Sequence, residues 1–574
     1  RLKVPSSVIS KLESDGVLKV HASVAYRNPI RRMGEETEKK TLSEEQQGAV
    51  NGILNAFDQN DRRPSLIHGI TGSGKTEVYL ALIEGMIKRG RQSIVLIPEI
   101  ALTYQTVRRF YGRFGDKVSV INSRLSQGER YDQFKRAKQG ELQVMVGPRS
   151  ALFTPFGRLR LIIIDEEHES SYKSENSPRY HARETAIHRA KLEGARVILG
   201  SATPSMEAYY RAKEGEYVLV KLEARFEERP LPRVSIIDMR EQLKKGNRLA
   251  LSLELREDLS QCLKKGEQAM LFLNRRGYAG FVSCRSCGHV MKCPHCDVSL
   301  SEHNGRKLIC HYCGYETVKP DKCPVCSSPY IGGFKAGTQQ IQQVVEKEFP
   351  EARVLRMDYD TTRAKGSYEK ILAAFSRHEA DILIGTQMIV KGHDFPDVTL
   401  VGILAADLSL NADDYRSGER TFQLLTQAVG RAGRGKKEGH ALIQTYSPDH
   451  YSIQTAAKQD YEEFYQEEMG YRLLMDYPPA AHMMAVLGSS EDEKLLETAM
   501  HYLGLFTGKI YAGKDLHVIG PAPASVGKVK DVYRRVLYLK HENYDLLVRI
   551  KDRLEEYIEI NSGFRKVNIQ FDFS

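Results

Sequence analysis

Residues 65–80 read Ser-Leu-Ile-His-Gly-Ile-Thr-Gly-Ser-Gly-Lys-Thr-Glu-Val-Tyr-Leu, and this stretch predicts a strand, a glycine-rich loop and a helix in direct succession. It fills the G-x-x-x-x-G-K-[ST] pattern of a phosphate-binding loop. Backbone N–H groups of the glycines approach the phosphates, the lysine reaches the β and γ oxygens, and the threonine hydroxyl binds Mg²⁺. A chance match in a glycine-rich turn is the alternative, which the strand and helix patterns on either side disfavour. The residues predicted to surround the nucleotide are Gly69, Gly72, Ser73, Gly74, Lys75 and Thr76.

Length and composition limit the number of domains and the kinds of partner that the chain can have. A chain of 574 residues is too long for one hydrophobic core, so we expect about three to five domains. The net charge of +10 permits a nucleic-acid partner without requiring one. No apolar run approaches the about 18 residues of a membrane span and no signal peptide is visible, which predicts a cytoplasmic protein without a membrane partner. Because the sequence opens on Arg1 rather than Met, we expect a segment to precede it.

Strand-length apolar runs alternate with helical stretches along most of the chain. This alternation predicts an α/β protein with two lobes built on parallel sheets. The runs lie at 93–97, 118–121, 143–146, 161–164 and 197–199 in the first lobe, and at 269–274, 353–357, 382–386, 400–405 and 441–445 in the second. From residue 482 onward, the order strand, helix, two strands, helix, strand predicts a βαββαβ domain. A helix followed by Asp15, Gly16 and a strand resembles the end of a winged-helix unit.

These patterns divide the chain into six parts. We predict the end of a winged-helix domain at 1–26, a linker at 27–41, the first lobe at 42–225, the second lobe at 226–283 and 327–470, a cysteine-rich insert in the second lobe at 284–326, and a C-terminal DNA-binding domain at 471–574.

Two acids end a buried apolar strand of the first lobe, in Leu-Ile-Ile-Ile-Asp-Glu-Glu-His at 161–168. Ligands of open α/β sheets bind beyond the carboxyl ends of the strands. We therefore predict that Asp165 holds Mg²⁺ and that Glu166 polarises the water that attacks the γ-phosphate. A strand that merely ends in surface carboxylates is the alternative, and the phosphate-binding loop upstream favours the catalytic interpretation.

Eight of the nine cysteines form four C-x-x-C pairs. Four thiolates from two pairs complete one tetrahedral site, so eight predict two Zn²⁺ ions. A reducing compartment disfavours disulfides, whereas spacing alone leaves an iron–sulfur cluster open. Spacing also leaves three pairings of the four C-x-x-C units open. The ninth residue, Cys262, lies in a helical pattern and is predicted to be a small buried side chain.

Six stretches resemble the ordered motifs of superfamily 2 helicases. They are 69–76, 98–103 (Pro-Glu-Ile-Ala-Leu-Thr), 147–150, 165–168, 200–205 (Gly-Ser-Ala-Thr-Pro-Ser) and 427–434 (Gln-Ala-Val-Gly-Arg-Ala-Gly-Arg). Gln427, Arg431 and Arg434 are spaced i, i+4 and i+7, which predicts one helical face. A guanidinium that reaches across a cleft to the γ-phosphate acts as an arginine finger. A solvated basic helix end is the alternative, which Gly430 and Gly433 disfavour because glycine is a poor helix former.

A narrower resemblance, to the primosomal replication-restart helicases, extends over nearly the whole chain. It rests on the cysteine insert and on the stretches 271–280, 385–396 and 405–410. The resemblance implies two RecA-like lobes in an ATP-dependent 3′ to 5′ DNA helicase. Such an enzyme recognises stalled or abandoned forks and D-loops and initiates primosome assembly. The implied cofactors are ATP, Mg²⁺ and two Zn²⁺. The implied partners are branched and single-stranded DNA, single-strand binding protein, and primosome and helicase-loading proteins, for a monomer in the bacterial cytoplasm that associates with the nucleoid.

The resemblance also implies roles for individual residues. Its zinc pairing is nested, with Cys284, Cys287, Cys323 and Cys326 on one ion and Cys293, Cys296, Cys310 and Cys313 on the other. Gln46 matches the glutamine that reads adenine. The family also has an N-terminal domain that holds the 3′ end of the leading strand; this sequence does not include it, which leaves open whether it was trimmed or lost and whether this chain recognises a 3′ end.

Two stretches match DNA-binding regions of the family. Residues 170–183 match an aromatic-rich loop that couples single-stranded DNA to ATP hydrolysis. Because the chain has no Trp, base stacking falls to Tyr172, Tyr180 and His181, with Arg183 as a phosphate contact. A plain surface loop is the alternative. The basic residues Lys528, Lys530, Arg534 and Arg535 are the candidate contacts to branched DNA, with a solvated charge run as the alternative.

Two other functions stay open at this point. A translocase or RNA-remodelling enzyme of the same superfamily would carry the same motifs. A scaffold that binds DNA and uses ATP only to change shape would not need a hydrolytic constellation, so the presence of Lys75, Glu166 and Arg431 argues against it.

Overall fold

The computed structural model describes most of the chain. The described residues are 4–20, 26–27, 40–99, 104–123, 125–225, 230–273, 281–296, 298–303, 306–333, 337–364, 366–390, 395–412, 414–435, 437–511 and 515–574. Most of the predicted linker and parts of the stretches 98–103, 271–280 and 385–396 lie outside them. No helix in these ranges combines the length and the apolar character that a membrane crossing needs.

The chain begins with one helix that has no buried residue, α1 (Ser6–Ser14). Residues 17–20 beyond it belong to no helix or strand, and residues 21–25 of the predicted strand lie outside the described part of the chain. The winged-helix assignment therefore stays a prediction.

The first lobe is a parallel sheet with helices around it. Its helices are α2 (Glu44–Asp58), α3 (Lys75–Lys88), α4 (Tyr104–Phe114), α5 (Gln127–Lys138), α6 (Ala182–Glu193) and α7 (Met206–Lys213). Its strands are β1 (Ser65–Gly69), β2 (Gln92–Leu96), β3 (Val118–Val120), β4 (Val144–Gly147), β5 (Leu159–Asp165), β6 (Arg196–Ser201) and β7 (Val218–Leu222). The strand order is β3-β4-β2-β5-β6-β1-β7, with every neighbouring pair parallel. This order places the ends of β1 and β5 close together, because only β6 separates them.

The second lobe repeats the parallel architecture. Its strands are β8 (Arg233–Asp238), β9 (Gln268–Leu273), β15 (Val354–Met357), β16 (Ile382–Gly385), β17 (Val398–Leu404) and β18 (His440–Thr445). Its helices are α8 (Met239–Lys244), α9 (Leu253–Lys264), α10 (Thr338–Glu348), α11 (Ser367–Ser376), α12 (Asp407–Leu410), α13 (Ser417–Val429), α14 (Tyr451–Lys458) and α15 (Tyr461–Leu474). The order is β15-β16-β9-β17-β18-β8. The edge strand β8 was not predicted, because its residues are only half-buried and its apolar run is short.

The insert in the second lobe is built from short strands. They are β10 (Ser283–Cys284), β11 (Ser301–His303), β12 (Lys307–Ile309), β13 (Glu316–Val318) and β14 (Ile331–Gly332). Strand β10 pairs with β14, so the paired base of the insert extends to Gly332, beyond the predicted end at 326.

The last domain confirms the predicted βαββαβ order. Its elements are β19 (His482–Ser490), α16 (Glu493–Ile510), β20 (His517–Val529), β21 (Val532–His541), α17 (Tyr544–Ile560) and β22 (Asn568–Phe573). The antiparallel sheet has the order β20-β21-β19-β22. Alternating buried and exposed residues along β19 direct one face of the sheet to a core shared with α16 and α17. The α/β fold class with two parallel-sheet lobes is thus confirmed.

Candidate active site and zinc centres

The phosphate-binding loop joins β1 to α3, as predicted. Gly72 and Gly74 have φ angles of 88° and 78°, a left-handed backbone that glycine adopts without steric cost. A Cβ atom on Gly74 would lie 2.4 Å from Nε2 of Gln46, so the loop has no room for a side chain there. The buried Ser73 Oγ lacks a hydrogen-bond partner, and backbone N–H groups at the start of α3 form an anion site. These features fit a triphosphate.

Lys75 lies in the first turn of α3, and its side chain extends back over the phosphate-binding loop. Its Nζ donates a hydrogen bond to the carbonyl oxygen of Gly69 at 2.7 Å. Burial lowers the pKa of Lys75, the carboxylates of Glu166 and Asp165 oppose that shift, and the positive charge of Arg434 adds to it. The two cations repel one another, and a bound triphosphate would offset that repulsion.

Gln46 lies against the loop from the side of α2. Ser43 caps this helix, and the Oε1 atom of Gln46 accepts the backbone N–H of Ser43 at 3.1 Å in a capping box. Its Nε2 atom donates to the carbonyl oxygen of Ser73 at 2.8 Å. Each of these two amide atoms has capacity for a second hydrogen bond. Contact with adenine therefore stays a prediction.

Asp165 and Glu166 end β5 beside the loop. The hydroxyl of Tyr79 donates to Oδ1 of Asp165 at 3.0 Å. Burial, together with the nearby charge of Glu166, raises the pKa of Asp165 to about 7, while Lys75 opposes the rise. A buried carboxylate next to a second acid favours a divalent cation, so this donor set fits Mg²⁺. Oε2 of Glu166 is buried without a hydrogen-bond partner, as a group that orients a bound water would be before that water arrives.

The second lobe closes over the loop at the end of α13. A Cβ atom on Gly430 would lie 2.7 Å from Cγ2 of Thr71, so this glycine permits a close approach of the two lobes here. The helix ends at Val429, and residues 430–433 form turns, with Gly433 at φ 65°. The prediction that Gln427, Arg431 and Arg434 share a helical face is therefore wrong, because the two glycines end the helix after Gln427.

The turn still brings Arg434 to the cleft, whereas the contact of Arg431 is made within the second lobe. Nε of Arg434 donates to the carbonyl oxygen of Gly430 at 2.9 Å, and the charge of Arg434 reaches Lys75. Nε of Arg431 donates to the carbonyl oxygen of Val390 at 2.7 Å.

His168 joins the lobes and was missing from the predicted site. Its Nδ1 lies 2.6 Å from Oγ of Ser201, and its Nε2 lies 2.8 Å from Nε2 of Gln427 in the second lobe. Because the amide Nε2 donates, the ring Nε2 accepts and the ring Nδ1 carries the proton. The position of His168 in the acidic motif was the available sequence signal.

The aromatic-rich loop requires three corrections. Tyr172 is 1% exposed, and its hydroxyl donates to the backbone oxygen of Asp165 at 2.7 Å, so its ring is not presented to a base. Arg183 is buried, and its Nη1 pairs with Glu167 at 3.1 Å. Nδ1 of His181 accepts the N–H of Arg183 to cap α6, and burial lowers the pKa of His181 to about 3. Tyr172 and Arg183 hold the loop in place through polar partners in the interior, and the half-buried His181 does so by capping α6.

Tyr180 is the predicted stacking residue that stays accessible. Its ring lies edge-on to Phe153, with the centroids 5.4 Å apart, and Phe153 is 53% exposed. Phe153 was not predicted, although it follows the 147–150 motif closely in sequence.

Three of the four basic residues predicted to bind DNA in the last domain are exposed, and the side chain of the fourth points to the other face of the sheet. Lys528, Lys530 and Arg534 are exposed at or near the tip of the β20–β21 hairpin. The side chain of Arg535 instead pairs with Glu497 of α16 at 2.9 Å, because neighbouring residues of a strand point to opposite faces. DNA contacts at the tip stay a prediction.

The eight paired cysteines form two groups of four. The groups are Cys284, Cys287, Cys323 and Cys326, and Cys293, Cys296, Cys310 and Cys313, with the sulfur atoms of each group within 4.8 Å of one another. The Sγ atoms of Cys284 and Cys326 are 3.6 Å apart. A tetrahedral zinc site with Zn–S bonds of about 2.3 Å requires about 3.8 Å between sulfurs, and a disulfide about 2.05 Å. The nested arrangement therefore fits two Zn²⁺ ions.

The second zinc group connects the second lobe to the last domain. The ring of Tyr312 stacks on that of Tyr538 in β21, with the centroids 4.8 Å apart. The Tyr312 hydroxyl accepts the backbone N–H of Tyr415 at 3.2 Å. His311 donates from Nδ1 to the carbonyl oxygen of Pro523 at 3.0 Å.

A buried ion cluster lies where the lobes meet. Arg472 of α15 donates to Glu419 at 2.6 Å and to Glu468 at 2.8 Å, with all three side chains at most 5% exposed. Oε1 of Glu419 also accepts the N–H of Met206, in the first lobe, at 3.0 Å. The cluster thus joins α13 and α15 to the segment that follows β6.

We expect Arg472→Met to lower the free energy of unfolding by about 3–5 kcal/mol, because two glutamates would then be buried without a counter-charge. Urea unfolding followed by circular dichroism measures this. Arg553→Met is the matched control, since Arg553 forms an exposed pair with Glu556 and its loss should leave the midpoint unchanged. Equal midpoints for the two variants would contradict the assigned role of the cluster.

Family models match four segments of the chain. They are the type III restriction enzyme res subunit at 39–206, the PriA DNA helicase cysteine-rich region domain at 293–317, the helicase conserved C-terminal domain at 330–436 and the primosomal protein N C-terminal domain at 474–573.

Three relatives named replication restart protein PriA are similar to the chain over most of its length. The protein of Bacillus subtilis is 47% identical over 571 residues, which cover 99% of this chain and 71% of the relative. The protein of Synechocystis is 44% identical, and the match covers 86% of this chain and 60% of the relative. The protein of Chlamydia pneumoniae is 39% identical, and the match covers 94% of this chain and 72% of the relative.

Solved structures resemble the chain more distantly. RecG bound to a three-way DNA junction is 15% identical with a TM-score of 0.43, covering 80% of this chain and 49% of that chain. The DUF1998 helicase MrfA bound to DNA is 15% identical with a TM-score of 0.44, covering 80% and 55%.

Proposed function

The chain belongs to the replication restart protein PriA family and is an ATP-dependent DNA helicase of replication restart, and we propose that it recognises stalled or abandoned forks and D-loops. On these substrates it unwinds the lagging-strand arm 3′ to 5′ and initiates primosome assembly. One observation carries the proposal: the phosphate-binding loop of the first lobe lies directly against the Gln427–Arg434 segment of the second, with Thr71 touching Gly430. A cleft of this kind couples hydrolysis to relative movement of the lobes.

The residues around the cleft divide the work of hydrolysis. Bound MgATP supplies the phosphoanhydride bond and the ion that neutralises its charge. The phosphate-binding loop would hold the phosphates, through Gly69, Gly72, Ser73, Gly74, Lys75 and Thr76. Asp165 would hold the Mg²⁺ ion, and Glu166 would orient the attacking water. Arg431 and Arg434 stabilise the charge that develops on the γ-phosphate, and Gln427 positions the second lobe through His168.

The proposed DNA contacts lie on the first lobe and on the last domain. Tyr180 with Phe153 offers an accessible aromatic pair for unpaired bases, because aromatic faces stack on any base. Lys528, Lys530 and Arg534 meet the phosphates of branched DNA at the hairpin tip. Further partners are single-strand binding protein and the primosome and helicase-loading proteins. We place the enzyme, as a monomer, in the cytoplasm beside the nucleoid.

Strand displacement tests this function. With ATP, we expect the chain to separate a forked DNA duplex and to leave an RNA duplex of the same sequence intact. A labelled displaced strand on a native gel reports the result, and a non-hydrolysable ATP analogue serves as the control. Unwinding of RNA alone would instead indicate an RNA-remodelling enzyme. ATP hydrolysis without displacement of either duplex would indicate a translocase.

A further inference from the structure

The exposed part of the aromatic-rich loop is bound to the last strand of the last domain. Nζ of Lys173 lies 2.5 Å from Oδ1 of Asp572 and donates to the carbonyl oxygen of Phe573 at 3.2 Å. Nη1 of Arg179 lies 3.1 Å from Oδ2 of Asp572, and its Nε donates to Oε1 of Gln570 at 3.1 Å. Two cations of the first lobe therefore share a single carboxylate of β22.

The donor groups in this contact are of the kind that also bind phosphate. An ammonium and a guanidinium that converge on one pair of carboxylate oxygens present the donors that a phosphodiester accepts. The side chains of Lys173 and Arg179 are 30% and 26% exposed, so solvent reaches both. The carboxylate of Asp572 carries one negative charge against the two positive charges of Lys173 and Arg179, and the three side chains are only half-buried, so solvent weakens the pairs.

Both ends of the loop are attached to the acidic end of β5. At its start, the Tyr172 hydroxyl binds the backbone oxygen of Asp165 at 2.7 Å. At its end, Arg183 pairs with Glu167 at 3.1 Å and donates to Oγ of Ser205 at 2.6 Å. A change in the position of the loop is therefore transmitted to the residues that hold Mg²⁺ and the attacking water.

We propose that Lys173 and Arg179 form a phosphate-binding pair for single-stranded DNA, and that Asp572 occupies this pair when DNA is absent. A DNA strand displaces the carboxylate, because it offers several phosphates and its binding releases counterions. The loop then separates from β22, and the acidic end of β5 adopts its hydrolytic arrangement. The inference rests on the proposed function, since it requires single-stranded DNA to reach the first lobe.

Asp572→Asn tests the proposal because it removes the charge and keeps the shape. We expect ATP hydrolysis without DNA to rise about 2- to 10-fold, and the concentration of oligo(dT) that gives half-maximal stimulation to fall by a similar factor, since two half-buried ion pairs are lost. Asp552→Asn is the matched control: the same substitution in the same domain, at a side chain that pairs with Lys551 on its own helix. Asp572→Asn that matches this control in both measurements would overturn the proposal.

A double-mutant cycle distinguishes displacement of Asp572 by DNA from a purely structural role of β22. In a Lys173→Gln, Arg179→Gln background the loop has already lost its contact, so Asp572→Asn should have no further effect on hydrolysis without DNA. Oligo(dT) stimulation should be weaker in this background at every salt concentration, with a shallower dependence on salt. Additive effects of the substitutions would contradict the shared contact.

Hydrogen exchange on the wild-type chain provides a measurement that does not depend on any variant. Oligo(dT) should speed exchange of backbone amides in β22 while it protects the loop at 170–181. Failure of the proposed function would be distinct, because hydrolysis by the wild type would then not respond to DNA at all. Stimulation of the wild type without faster exchange in β22 would overturn only the displacement of Asp572.

Discussion

Lys75→Ala should lower the rate of ATP hydrolysis by more than about 100-fold and abolish strand displacement. The physical reason is the position of Nζ, which lies over the phosphate-binding loop and faces Arg434 across the cleft. Its positive charge is available where negative charge develops on the γ-phosphate, and the buried site keeps that interaction strong. Turnover of ATP measured by phosphate release, with and without forked DNA, reports the loss.

Binding of forked DNA should remain nearly intact in this variant, because none of the proposed DNA contacts touches Lys75. Fluorescence anisotropy with a labelled fork measures it. Lys88→Ala is the matched control: it removes a lysine from the exposed end of the same helix, where its partner is Glu84 at 3.1 Å, and should leave hydrolysis unchanged. Normal unwinding by Lys75→Ala would show that the site is assigned to the wrong loop.

Removal of one zinc ligand should have the second large effect. We expect the purified chain to carry about two zinc atoms and Cys310→Ser to carry about one, because a site with three thiolates holds the ion far more weakly. Structural zinc contributes about 10–16 kcal/mol of apparent binding energy in small zinc domains, which is the free energy that folds them. The insert depends on the ion in this way, since its strands are only two or three residues long.

Elemental analysis by mass spectrometry and limited proteolysis test this prediction. The insert of Cys310→Ser should be cleaved faster than that of the wild type. Cys262→Ser is the matched control, because Cys262 is buried in the second lobe against Thr399 and belongs to neither group. Two zinc atoms retained by Cys310→Ser, or two lost together, would contradict independent nested sites.

The sequence predicted those parts of the site that depend on local backbone geometry. The loop at 69–76 follows from glycine spacing, and the acids of β5 follow from an apolar run that ends in charge. The grouping of the cysteines followed only from resemblance, because C-x-x-C spacing is the same in every pair. Sheet pairing of β10 with β14 determines which pairs meet, and that pairing spans 47 residues.

The errors have a common physical origin. Tyr172, His181 and Arg183 have the composition of a DNA-binding loop, yet each has a polar partner inside the first lobe. Composition identifies the chemistry of a side chain, whereas burial depends on neighbours far away in sequence. The same holds for Asp572, which is an ordinary acid in the sequence and meets Lys173 only in the folded chain.

The stacked rings of Tyr312 and Tyr538 make the zinc insert a rigid connection between the second lobe and the last domain. The Tyr312 hydroxyl is fixed to the backbone just before α13, and that helix ends over the phosphate-binding loop. If ATP hydrolysis moves the second lobe, as the proposed function requires, these contacts would carry that movement to β21 and so to the β20–β21 hairpin. Under the proposed function, branched DNA at the hairpin tip would then be displaced in step with ATP hydrolysis.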